Sequence, residues 1–319
     1  LNSGIIDARF RITLPHPTQS RIFMQDAEDP TLEQASTPEP IDYGRRRFLK
    51  QSAAGLTIIS FSNPLGNISS RQEFEVVYKN IKLPRLPREL HGLRIAMISD
   101  IHSGPYMSKV DLDPYVACIN ALRPDLILLP GDFVQSRNEE IEAVCDAFAK
   151  LKARHGVYGS TGNHDYIDDA DYISNELAHA GVRMLRNEHA LIEIKGKELA
   201  LIGLDDVRSG YSFARLFERS VEGLNAHLPN IVLCHKPYYL EEASEYGAGL
   251  LVSGHTHGGQ VVIARIFSTV ITVAALISGY VEGLYRLDAT QLYVTRGIGT
   301  VGLPIRINCP PEVTVLTLL

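Results

Sequence analysis

Tryptophan is absent from the 319 residues, which by itself excludes nothing. The scarcity of cysteine says more. Cys118, Cys145, Cys234 and Cys309 form no Cys-x-x-Cys pair, so the chain carries no thiolate zinc signature. Cys118 and Cys145 fall in helix-like segments and Cys234 in a strand-like one; buried free thiols are expected, with a disulfide as the alternative. An excess of basic charge is also missing, since 31 Lys and Arg face 37 Asp and Glu for a net charge of -6. Phosphate-backbone affinity needs a basic surface, so this balance argues against a general nucleic-acid binder, and no nucleic acid is expected as a partner. What is plentiful is core material. At 45% hydrophobic, the chain suits one domain of ordinary size plus an extension.

Residues 1–43 are rich in Pro, Thr, Ser, Gln and acids and lack periodicity, which predicts a disordered N-terminal extension. The sequence opens on Leu1, and Met24 is a candidate start. Arg45-Arg46-Arg47-Phe48-Leu49-Lys50 and the mildly apolar run after it resemble a twin-arginine export signal. The run is too short for a confident membrane-spanning helix, which takes about 20 residues. No Ala-x-Ala site precedes Asn67, so 44–66 is expected to act as a signal or to stay as a membrane anchor. A basic helix start in a cytoplasmic protein is the alternative. The resemblance implies the twin-arginine export machinery as a partner and a periplasmic, cell-envelope or membrane-anchored location.

From about Arg71 the texture changes, and 71–319 is expected to be the catalytic domain. Apolar runs read as strands, and each stops at a polar cluster. Leu93–Ser99 ends at Asp100-Ile101-His102. Leu126–Leu129 ends at Pro130-Gly131-Asp132. Val157–Ser160 ends at Thr161-Gly162-Asn163-His164-Asp165. Leu199–Gly203 ends at Asp205-Asp206. Asn230–Cys234 ends at His235-Lys236. Gly249–Val252 ends at Ser253-Gly254-His255-Thr256-His257. Helical periodicity covers 110–122, 139–153, 168–180 and 239–245, and Glu73–Tyr78 alternates like an edge strand. This alternation gives an α/β class, in which ligands gather beyond the carboxyl ends of strands.

Asp, His and Asn are oxygen and nitrogen donors. Such a set suits manganese, iron, zinc or a mixed pair, and disfavours a structural zinc. Seven ligand-grade side chains exceed the needs of one ion, and a carboxylate shared between two ions would explain the number. Two ions about 3.5–4 Å apart can hold a phosphate and activate a water.

Asp-x-His, Gly-Asp, Gly-Asn-His-Asp, a lone His and Gly-His-x-His, in this order over residues 95 to 260, resemble the calcineurin-like metallophosphoesterases. The tail from Gly283-Leu284-Tyr285-Arg286 to Pro310-Pro311-Glu312 further resembles the bacterial exported branch of YaeI- or YkuE-like phosphodiesterases. The resemblance implies a four-layer α/ββ/α sandwich of two mixed β-sheets flanked by helices. It implies two divalent metal ions (Mn, Fe or Zn): one held by Asp100, His102 and His257, the other by Asn163, His235 and His255, with Asp132 bridging. His164 would contact the phosphate and protonate the leaving oxygen, with Asp165 orienting its ring. The nucleophile would be a metal-bridging hydroxide. One departure stands out. Where serine/threonine phosphatases of this superfamily carry a second acid after Gly-Asp, this chain has Gln135, which lowers the protein-phosphatase reading.

Other residues stay open. Arg296 could reach a substrate phosphate or sit solvated in a glycine-rich turn; Lys236 raises the same question. Asp205 and Asp206 could line the site or make a turn. His16, His91, His155, His179, His189 and His227 lie outside the clusters and read as surface or loop histidines. The apolar stretch 261–281, with Arg265 inside it, reads as buried strands or a helix against the core. The sharper alternative is an apolar flap touching lipid or an acyl substrate. The expected function is a dinuclear-metal phosphoesterase that cleaves phosphodiester or pyrophosphate bonds in a cell-envelope or lipid-linked substrate. A phosphomonoesterase, or a membrane-tethered inactive metal-binding scaffold, is the alternative.

Overall fold

The computed structural model describes residues 68–69, 73–206, 212–266, 269–276 and 278–319. The expected extension (1–43) and signal or anchor (44–66) lie outside the described residues. In chain order come β1 (Ile68–Ser69), β2 (Glu75–Ile81), β3 (Arg94–Met97), α1 (Lys109–Leu122), β4 (Leu126–Pro130), α2 (Ile141–Phe148), β5 (Val157–Ser160), α3 (Ala170–His179) and β6 (Val182–Met184). Then follow β7 (Glu188–Ile194), β8 (Lys197–Gly203), α4 (Phe213–Ser220), β9 (Asn230–Leu233), α5 (Leu240–Glu245) and β10 (Leu250–Ser253). The chain closes with β11 (Val262–Ile266), β12 (Thr269–Thr272), β13 (Gly283–Leu287), β14 (Thr290–Val294), β15 (Arg306–Ile307) and β16 (Glu312–Leu318).

These strands build two mixed six-stranded sheets. The first has the order β2-β16-β3-β4-β5-β6, with β3 to β6 parallel. The second has the order β13-β14-β10-β9-β8-β7, with β14, β10, β9 and β8 parallel. Parallel strands covered on both faces read as unbroken apolar runs. The period of two then divides each run between two cores. Ile95, Met97, Leu126 and Leu128 meet Leu199, Leu201, Ile231, Leu233, Leu250 and Val252 between the sheets. Their neighbours Ala96, Ile98, Ile127 and Leu129 pack against Tyr115 and Ile119 of α1, Val144 of α2 and Ile173 of α3. On the far side Ile202, Val232, Leu251 and Val294 pack against Phe213 and Phe217 of α4 and Leu240 of α5. Each such fully buried side chain contributes about 1.5–3 kcal/mol. The layers are therefore helix, sheet, sheet, helix, as expected.

Helix ends follow local chemistry. The expected 168–180 helix starts at Ala170 because the Asp169 carboxylate accepts from the N–H groups of Asp171 and Tyr172. The expected 139–153 helix stops at Phe148. Lys150 and Leu151 donate only three residues back, to the carbonyls of Ala147 and Phe148, a tightened last turn.

The stretch 261–281 does not supply core strands. β11 and β12 pair antiparallel as a separate two-stranded ribbon. Val262 and Thr272 face each other on its buried side, while Ile263 is 72% exposed, Val273 68% and Leu276 87%. These exposures do not fit burial against the core. No helix among the described residues is long and apolar enough to cross a membrane.

Candidate metal centre

All the expected ligand residues follow the carboxyl ends of parallel strands. Asp100 and His102 follow β3, Asp132 follows β4, and Asn163, His164 and Asp165 follow β5. His235 follows β9, and His255 and His257 follow β10. Backbone hydrogen bonds lock these loops together. Asp100 N–H donates to the Gly131 carbonyl at 3.1 Å, and Ile101 and His102 N–H both donate to the Asp132 carbonyl at 2.8 and 3.1 Å. Across the two sheets, His255 N–H donates to Asp100 Oδ1 at 2.8 Å. His164 N–H donates to Asp132 Oδ1 at 2.8 Å.

The loops are strained. Among the described residues, Asp100, His102, Asp132, His255 and His257 all have positive φ, between 47° and 72°. Left-handed backbone costs a non-glycine residue about 1–3 kcal/mol and persists only where the surroundings dictate it. Five such residues, spread from Asp100 to His257 at the ends of three strands, mark one over-determined site. Two glycines make room for its carboxylates. A Cβ at Gly254 would collide with Asp100 Oδ2 and the Ser99 hydroxyl, and one at Gly162 with Asp132 Oδ1.

The donor atoms converge. Ligand atoms of Asp100, His102 and His257 lie within 4.8 Å of one another, as do those of Asp132, His235 and His255, and of His102, Asp132 and His164. His257 Nε2 is 3.1 Å from His102 Nε2 and 3.5 Å from Asp100 Oδ1. Asp132 Oδ2 is 3.4 Å from His102 Nε2 and 3.1 Å from His235 Nε2. Four buried atoms of the set make no hydrogen bond: Asp100 Oδ2, His102 Nδ1, Asn163 Oδ1 and His235 Nε2. Unpaired buried polar atoms cost about 1–3 kcal/mol each, so their concentration on these ligand-type residues fits a bound cation. His235 Nδ1 is fixed by the Pro130 carbonyl at 2.7 Å, which turns Nε2 toward Asp132.

Burial and mutual charge divide the titrations. Burial lowers His102 and His255 to about 3, and lowers His257 well below the ordinary range with help from His102 and Arg306. Burial would raise Asp132, but His235 and His102 outweigh it and hold the carboxyl below the usual range. Burial would lower His235, but Asp132 outweighs it and pushes the imidazole up to about 10. Burial pushes Asp100 up to about 6. The neutral imidazoles of His102, His255 and His257 beside the ionised Asp132 carboxylate suit a cation, and a cation beside Asp132 would displace the His235 proton, because metal binding requires deprotonated donors. Asp, Asn and His with no thiolate fit a borderline divalent ion.

Two expected site residues do other work. Asp165 does not orient the His164 ring. Its carboxylate accepts from the N–H groups of Asp132, Phe133 and Gly162 at 3.0, 2.8 and 2.8 Å, stapling the loops after β4 and β5. The His164 ring is set instead by the Gln135 carbonyl, 2.6 Å from Nδ1. Arg296 is not an open arm for phosphate. Its guanidinium donates to Glu312 at 2.7 Å and Glu75 at 2.9 Å, and its side chain is only 10% exposed. Asp206 pairs with Lys236 at 2.8 Å, and Asp205 is taken by Arg186 and the Thr161 hydroxyl. The four cysteines are free, with Cys234 and Cys309 buried and Cys118 and Cys145 half-buried.

Arg306 gave no signal in the sequence. It is fully buried, donates to the carbonyls of Gly299, Arg296 and His257, and lies 3.4 Å from His257 Nδ1.

Comparison with known proteins agrees with this geometry. Residues 93–259 match the family model described as calcineurin-like phosphoesterase. A Danio rerio protein named "Transmembrane protein with metallophosphoesterase domain" is 32% identical over 84% of this chain and 63% of its own length. A Bos taurus protein of the same name also matches over 63% of its length, so the chain spans less than two thirds of these relatives. The Bacillus subtilis metallophosphoesterase YkuE is 30% identical over 86% of this chain and 97% of its own length. The Escherichia coli phosphodiesterase YaeI is 28% identical over 86% and 99%.

Proposed function

The chain belongs to the calcineurin-like phosphoesterase family, and from that premise we propose that it is a dinuclear-metal hydrolase of phosphodiester or diphosphate bonds. The observation that carries this is the convergence of ligand atoms from Asp100, His102 and His257 and from Asp132, His235 and His255, with unpaired buried donor atoms on Asp100, His102, Asn163 and His235. Asp100, His102 and His257 would hold one divalent ion and Asn163, His235 and His255 the second, with Asp132 serving both. Bound there, manganese, iron or zinc ions would supply Lewis acidity and bring the pKa of a water from 15.7 to about 7.

The chain's own residues do the rest. The Gln135 backbone carbonyl accepts a hydrogen bond from His164 Nδ1–H and fixes the ring, so that the other nitrogen can protonate the leaving oxygen. Asp165 keeps the Asp132 loop rigid by accepting from four backbone N–H groups, so the Asp132 carboxylate need not reorganise during turnover. The substrate class is a cell-envelope phosphate ester or lipid-linked diphosphate, reached through twin-arginine export and contact with a membrane. The support for that setting is the Arg45–Lys50 sequence and the exposed apolar flap.

The test is turnover of a chromogenic phosphodiester, a phosphomonoester and a lipid diphosphate by the full chain with added manganese. Diester or diphosphate hydrolysis that disappears on chelation is expected. Faster monoester hydrolysis would favour a phosphomonoesterase, and bound metal without turnover would make the chain a metal-binding scaffold.

A further inference from the structure

Seven large apolar side chains stand exposed in two segments: Ile263, Ile271, Val273 and Leu276 on the ribbon and its following turn, and Val301, Leu303 and Ile305 on the loop before β15. Singly such residues are ordinary, but clustered ones mark a surface that meets something apolar. The two segments are tied at one point. The Gln260 side chain donates to the carbonyls of Val301 and Leu303 at 3.1 and 2.8 Å and accepts from Val301 N–H at 2.9 Å. Ile307 N–H donates to the Gln260 carbonyl at 2.9 Å, and Asn308 Nδ2 donates to the Val262 carbonyl at 3.1 Å. Ile263 and Ile271 both lie on the ribbon face opposite Val262 and Thr272.

Two further observations choose the occupant. β1 pairs antiparallel with β15, Ile68 opposite Ile307 and Ser69 opposite Arg306. In the sequence the basic and apolar run 44–66 ends two residues before Ile68, and β15 directly follows the 301–305 loop. Gln260 also follows His257 by three residues, so the apolar surface is rooted in the metal centre's own loop. A segment with a basic cluster and an apolar run has the chemistry of an anionic bilayer surface.

We propose that the β11–β12 ribbon with its following turn and the 301–305 loop together form a surface that seats on a phospholipid bilayer. The inference rests on the reading of the chain as a membrane-facing phosphoesterase, and it fixes which face of the domain meets the lipid. The metal centre then opens next to the headgroup layer, where a lipid-borne phosphate ester presents its phosphate.

The chain has no tryptophan, so a single introduced one reports alone. Leu276→Trp and Leu303→Trp place it on the proposed surface. Leu191→Trp places it on β7, the edge of the second sheet opposite β13, where Leu191 is 46% exposed. Each full-chain variant is mixed with phosphatidylglycerol–phosphatidylcholine vesicles carrying brominated acyl chains. The expected result is vesicle binding by all three, with emission at 276 and 303 shifted to shorter wavelength and quenched at least two-fold, and emission at 191 unchanged. Vesicle-bound chain with 276 and 303 unquenched would overturn the proposal, leaving 44–66 as the sole tether. So would a chain that stays off the vesicles. A blue shift at 276 and 303 that grows with protein concentration without vesicles would assign the surface to a second copy instead. The tryptophan readout needs no turnover. Failure of soluble-diester hydrolysis would count against the enzymatic reading alone, and failure of quenching against the docking surface alone.

Discussion

His102 and His257, 155 residues apart, bring their Nε2 atoms to 3.1 Å of each other in a fully buried pocket. Burial holds both rings neutral, so at most one proton can lie between the two nitrogens. A cation accepting both lone pairs, with Asp100 beside them, satisfies the pair better. His257→Ala is expected to lower bound metal and diester turnover together, by more than the 10–100-fold or so typical of an outer-shell partner. Metal analysis and turnover on one preparation check it.

His164 is placed to act on substrate rather than to hold an ion. His164→Ala is expected to keep its metal content and to lose about 10²–10⁴-fold in turnover, the usual worth of a general acid. Normal turnover in this variant would remove the assignment.

Gly254 leaves the space that Asp100 Oδ2 fills. Gly254→Ala is expected to displace that carboxylate and weaken metal binding while circular dichroism stays native. An unchanged metal affinity would show that the loop after β10 gives way instead.

Arg296 bridges Glu312 and Glu75. Arg296→Met leaves the buried Glu312 without its charge partner, and breaking a buried pair costs about 3–5 kcal/mol. A lower melting temperature with an unchanged KM for a small diester is the expected outcome. A raised KM at unchanged stability would return Arg296 to the substrate.

Burial pushes the Cys145 thiol up to about 11 from an ordinary 9. A higher pKa leaves less thiolate at a given pH, and its greater nucleophilicity offsets only part of that loss, so at pH 8 Cys145 should react about 10-fold more slowly with a disulfide reagent than a free thiol. All four thiols should titrate once the chain is unfolded.

The strands that carry the site were legible because parallel strands buried on both faces read as apolar runs, and each run stops where its polar cluster begins. β3, β4, β5, β9 and β10 all behave this way. β7 and α4 escaped notice. β7 alternates buried and exposed residues at a sheet edge, and α4 is only eight residues long, although Ser212 caps it and Phe213, Leu216 and Phe217 give it an apolar face. The ribbon at 262–272 was read mainly as core because apolar composition does not say which surface a segment covers. Arg296 and Asp165 show the same limit. Arg296 meets a Glu75 lying 221 residues away. Asp165 serves backbone N–H groups of a neighbouring loop. Partners so distant in sequence are set by the topology, which brings the carboxyl ends of both sheets to one place.

The shared carboxylate of Asp132 is the most direct point to test. The full chain is loaded with excess manganese or zinc, freed of unbound ion, and assayed for metal by mass spectrometry beside Asp132→Asn. Two ions per wild-type chain and fewer than one in the variant are predicted, because one oxygen-donor bridge serves both sites. Two ions retained in Asp132→Asn, or no more than one in the wild type, would contradict a dinuclear centre built around Asp132.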